Sequence, residues 1–115
     1  MNNDTKMASV KMYEPFVSKA KNKKYSVFVY KNGKRALIHF GDSRYEQFFD
    51  SVRGHYYSSR DHFDMDRRKR YLNRSMNIKN KEGQKTYRIT SSPNYWSVKY
   101  LWSYSGDDSS FNTIS

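Results

Sequence analysis

The residues best equipped for chemistry are those of the run Arg67-Arg68-Lys69-Arg70, followed by Arg74. A guanidinium fork matches two phosphate or carboxylate oxygens at once, so Arg on successive helical turns can track a polyanion. Arg67, Arg70 and Arg74 fall at i, i+3 and i+7, one face of a helix. Arg67, Arg68, Lys69, Arg70 and Arg74 are therefore the candidate polyanion-binding residues. The competing reading puts one or two of these Arg inside the fold, clamping Asp50, Asp61 or an aromatic face.

Other constellations say less. His39, His55 and His62 lie near Asp42, Asp61, Asp64 and Asp66. Imidazole and carboxylate suit several divalent metals, but the spacing of Asp61, His62 and Asp64 is unspecific. Their expected role is to cap and orient a helix start. Ser is abundant without a G-x-S-x-G turn, and the five Gly do not form a phosphate loop. Asp42 and Glu46 are expected to neutralise Arg44 and Arg53. The expectation is a protein that is not an enzyme, with no catalytic residue, metal, cofactor or small-molecule substrate.

Composition supports a binding role. The chain has 115 residues, which suits one domain. There are 22 Lys and Arg against 11 Asp and Glu, a net charge of +11. The excess lies in residues 1–40 and 60–90, while residues 91–115 are nearly neutral. Charge concentrated in blocks suits acidic partners such as DNA or RNA phosphates; the bland alternative is a set of solvated Lys faces. Aromatic residues make up 17% of the chain, so a wholly disordered protein is not expected. Aliphatics are few, so most rings must form the core; Phe28, Leu37, Phe40, Tyr71 and Trp102 are expected there as a group. Without Cys there can be no disulfide and no thiol chemistry. No apolar run approaches the roughly 18 residues of a membrane span. Met1-Asn2-Asn3-Asp4 has no apolar signal region, so no signal peptide is expected.

The candidate residues need a scaffold. Residues 25–30 (YSVFVY) and 35–40 (RALIHF) flank Asn32-Gly33. Asn-Gly between two apolar runs predicts a hairpin, because a type I′ turn needs positive φ at both central residues. Residues 41–59 are irregular and ring-rich, either a third short strand or a plug for the core. Residues 64–76 (DMDRRKRYLNRSM) predict a helix capped by Asp64, with Met65, Leu72 and Met76 as its apolar stripe. Residues 77–84 form a turn with its apex at 81–83, and residues 85–90 (KTYRIT) could add a strand. Ser92-Pro93 opens a second helix, since Pro is tolerated at the first helical position, and Gly106 stops it. The expected architecture is α+β: a small antiparallel hairpin-based sheet with one or two short helices packed on it. It comprises an N-terminal basic arm (1–24), one domain (25–103) and a polar tail (104–115). Residues 19–24 (KAKNKK) read as a charged lead-in rather than a core element.

Three stretches together carry a resemblance. They are His39-Phe40-Gly41 with Tyr45 and Asp50, the run of residues 61–74 (DHFDMDRRKRYLNR), and Ser91-Ser92 with Tyr95-Trp96-Ser97 and Tyr100-Leu101-Trp102. Their order resembles a family of small basic uncharacterised proteins encoded by large double-stranded DNA viruses and some phages. The chain departs from that pattern at Ser75, where the family has His after the Arg. The resemblance supplies no catalytic residues. It implies a viral origin and location in the virion; without it the expected location is intracellular. The function expected is that of a structural protein of the particle, a minor capsid or internal virion component. Its partners would be other capsid proteins or the genome. The alternative is a free nucleic-acid-binding module using the Arg-rich helix.

Overall fold

The computed structural model describes residues 11–103. The polar tail 104–115, Gly106 with it, and the first ten residues of the arm lie outside the described residues.

Strand β2 (Lys23–Lys31) and strand β3 (Lys34–Asp42) form the antiparallel hairpin, with Tyr25 opposite Phe40 and Val29 opposite Ala36. Asn32 and Gly33 have φ of 53° and 77°, both positive as a type I′ turn requires. A Cβ at Gly33 would meet nothing within 4 Å, so a substitution there is strained by backbone alone. Gly33→Val should therefore cost on the order of 1 kcal/mol or more. The check is thermal melting; an unchanged midpoint would contradict the turn geometry.

The third strand comes from the supposed arm and not from residues 41–59. Strand β1 (Phe16–Val17) pairs antiparallel with β2, giving the order β1-β2-β3. Phe16 stacks on Phe28 at 5.6 Å, which holds this two-residue strand against the sheet. The domain thus begins well before residue 25, and the expected boundary falls inside β2. Lys24, expected in a solvated lead-in, is buried.

Helix α1 (Met65–Ser75) starts where Asp64 accepts from the N–H groups of Asp66 and Arg67. Helix α2 (Pro93–Leu101) starts at Ser92, whose hydroxyl accepts from the Asn94 N–H, and ends at Leu101, well before Gly106. Residues 85–90 add no strand. Thr86–Arg88 is one 3-10 turn, and Lys79 and Lys85 form an isolated antiparallel bridge before it. The described residues therefore form an α+β fold, a three-stranded antiparallel sheet with two α-helices.

Tyr25, Val27 and Val29 on β2 and Phe40 on β3 meet Trp96, Val98 and Leu101 of α2 in one core, which Phe48, Val52, Leu72 and Met76 close. Of the five residues expected inside, Phe40 and Trp102 are buried, whereas Phe28 and Tyr71 are partly covered. Leu37 is 44% exposed, a correction that follows from strand alternation. Its neighbours Ala36 and Ile38 pack against the core, so Leu37 points to the opposite face.

Candidate polyanion-binding groove

Residues 43–64 have little regular structure and are held by buried polar groups. Lys24 on β2 reaches under this segment, where its Nζ donates to the Tyr45 carbonyl at 2.8 Å and to Gln47 Oε1. Burial pulls its pKa down to about 8. Gln47 passes the network on, donating to the Tyr57 carbonyl and to Asp61 Oδ1. Asp61 Oδ1 also accepts from the Asp50 N–H. Asp50 is fully buried, and its carboxylate accepts from the Tyr25 hydroxyl at 2.5 Å and from the N–H groups of Val52 and Tyr57. Asp50 and Asp61 thus organise a loop, and neither forms an ion pair with Arg among the described residues.

This loop presents Tyr45 and Glu46 to the exposed side of α1. There a groove of about 390 Å³ is lined by Tyr45, Glu46, Arg67, Arg70, Tyr71, Arg74 and Trp102. Tyr71 and Trp102 stack at 4.0 Å with an interplanar angle of 7° and make its apolar floor. Tyr45 forms a wall with 64% of its surface exposed. The Arg44 guanidinium sits 5.6 Å from the Tyr45 ring centroid and is clamped by both oxygens of Asp42. These hydrogen bonds hold the Asp42 carboxyl well below the usual carboxylate range. Arg67 Nη1 donates to Glu46 Oε1 at 2.9 Å, which lowers the Glu46 pKa. Asp42 thus holds Arg44 as expected, whereas Glu46 is balanced by Arg67 and not by Arg53.

The five expected polyanion-binding residues divide. Arg67, Arg70 and Arg74 line the groove together. Arg70 and Arg74 are exposed, and neither makes an ion pair among the described residues. Lys69 is exposed but outside the groove lining. Arg68 must be corrected: it is 4% exposed and belongs to the interior, not to the polyanion-facing surface. Its Nε donates to the Trp102 carbonyl at 2.7 Å, and its guanidinium lies 5.4 Å from the Phe48 ring centroid. Arg68, Leu72 and Ser75 fall at i, i+4 and i+7 and form the buried face of α1. That period was present in the sequence, but the Arg run masked it. Tyr45 is not legible as a site residue in the sequence, because its place beside α1 depends on the Lys24 network.

His62 stands just before the groove's helix. Its Nδ1 accepts the Asp64 N–H at 2.9 Å, so it orients the helix start. Its Nε2 is buried without a hydrogen-bond partner among the described residues. Among those residues no group of three or more His, Asp or Glu side chains could hold a metal ion. Burial is the main cause that pushes the His62 pKa down, with Arg67 adding to it, while Glu46, Asp64 and Asp61 act in the opposite sense. Its folded pKa lies below the unfolded value near 6.5, so the unfolded chain binds the extra proton. His62 should contribute stability that is complete above about pH 6.5 and is lost as pH falls through the folded pKa. Melting curves between pH 7.5 and 5 should show this loss in the wild type and a shallower one in His62→Gln. Parallel curves would contradict it.

No family model matches the chain, and no curated protein or solved structure matches it either.

Proposed function

We propose that this protein is a non-enzymatic structural component of a viral particle, a minor capsid or internal virion protein. It would use the exposed face of α1 to hold acidic neighbours or the packaged genome. The observation that carries this reading is the pair Arg70 and Arg74, exposed on one helix face with no carboxylate partner among the described residues. Unpaired guanidinium groups are strong, directional donors to phosphate or carboxylate oxygens. The net charge of +11 adds a long-range attraction for polyanions. The ordered motifs that resemble small basic viral proteins support the virion location. None of the helices in the described residues is long and apolar enough to cross a membrane.

A second reading, a free nucleic-acid-binding module, is favoured by the exposed ring of Tyr45 beside the Arg residues. Particle fractionation separates the two. The structural reading expects the protein to stay with intact particles through density-gradient purification at a fixed copy number. Recovery only in soluble nucleic-acid complexes would favour the second reading. Absence from both would overturn both.

A further inference from the structure

We infer that the groove beside α1 takes single-stranded nucleic acid, with Tyr45 as the stacking platform for one base and Arg70 and Arg74 as phosphate contacts. The inference rests on the proposal that this face binds a polyanion, and it names which one.

The groove combines two features that a single strand needs. The first is cationic. Arg74 lies seven residue steps after Arg67 on α1, about 10 Å along the helix axis. Arg67 is occupied by Glu46, so Arg70 and Arg74 supply the free charge. Glu46 carries the groove's negative charge, and its ion pair with Arg67 offsets it. The second is an exposed ring. Tyr71 and Trp102 already stack on each other, and Trp102 is buried, so that pair is a floor and not a platform. Tyr45 has most of its surface free.

Tyr45 is also held in place. Its carbonyl accepts from the buried Lys24 Nζ, and its ring lies beside an Arg44 that is itself clamped by Asp42. A restrained ring loses less freedom on binding than a loose one. A duplex keeps its base faces stacked inside and offers Tyr45 nothing to cover. A single strand offers both an unstacked base and phosphates. A protein carboxylate could satisfy Arg70 and Arg74 but would leave Tyr45 without a role.

The test is fluorescence anisotropy of the full chain with a labelled ten-nucleotide oligo-dT and with a hairpin duplex carrying the same number of phosphates. The single strand should bind more tightly. Tyr45→Ala should weaken it about tenfold or more, within the range seen when a stacking ring is removed. Tyr45→Phe should bind like the wild type, because only the ring face is used. The Tyr45 side chain is largely exposed, so these variants should keep the wild-type melting temperature. Equal affinity for strand and duplex, with Tyr45→Ala unchanged, would overturn the stacking proposal and leave a phosphate-binding face intact. Salt-sensitive binding to neither nucleic acid would overturn the stacking proposal too, and would leave protein carboxylates as the partner of Arg70 and Arg74.

Discussion

Asp50→Ala should unfold the domain or bring it close to unfolding. The Asp50 carboxylate is fully buried and receives three hydrogen bonds, from the Tyr25 hydroxyl and from the N–H groups of Val52 and Tyr57. Alanine leaves all three donors in the interior without an acceptor. Each orphaned buried donor costs about 1–3 kcal/mol, and a domain of this size has about 5–15 kcal/mol in total. The substitution also removes the negative charge that helps the buried Lys24 ammonium stay protonated. Asp50→Asn keeps the shape and one acceptor oxygen and should fall between the two. Thermal unfolding gives the measurement. An Asp50→Ala variant within about 4 °C of the wild-type melting temperature, a difference of roughly 1 kcal/mol for a small domain, would show that the loop does not depend on this carboxylate.

Trp102→Ala should cost about 3–5 kcal/mol, the usual range for removing a large buried ring. Trp102 stacks on Tyr71, lies 5.3 Å from the His62 ring, and through its carbonyl holds Arg68. It therefore joins the end of α2 to both the start and the middle of α1. The variant should melt early and, once partly unfolded, lose binding as a consequence. A variant with normal stability that only failed to bind its partner would show that the ring is a contact residue.

The parts of the fold that were legible in the sequence depend on neighbours along the chain. Asn32-Gly33 determines a turn by its own backbone preference, and Asp64 caps a helix with the N–H groups two and three residues away. Ser92-Pro93 works in the same local way. The parts that were not legible depend on distant partners. Strand β1 has only two residues, and its signal is the stacking of Phe16 on Phe28. Lys24 looks like solvated charge until Tyr45 and Gln47, more than twenty residues later, supply its acceptors. Residues 43–64 have no period to read because buried hydrogen bonds shape them. The Arg stripe was legible through its spacing, but Arg68 belongs to the stripe that packs inward with Leu72. Tyr45 enters the groove only because of the loop that Lys24 anchors.

The claim that Arg70 and Arg74 form a polyanion-facing surface is tested most directly by the salt dependence of nucleic-acid binding. Each phosphate contact releases counterions and contributes a log–log slope of about −0.7 on single strands and about −0.9 on duplex DNA. Affinity for an oligonucleotide should be measured across a range of salt concentrations for the wild type and for the double variant Arg70→Glu with Arg74→Glu. Both side chains are exposed, so the variant should melt like the wild type. The double variant should bind more weakly, with a slope flattened by roughly one to two units. An equally stable variant with the wild-type affinity and slope would contradict that claim.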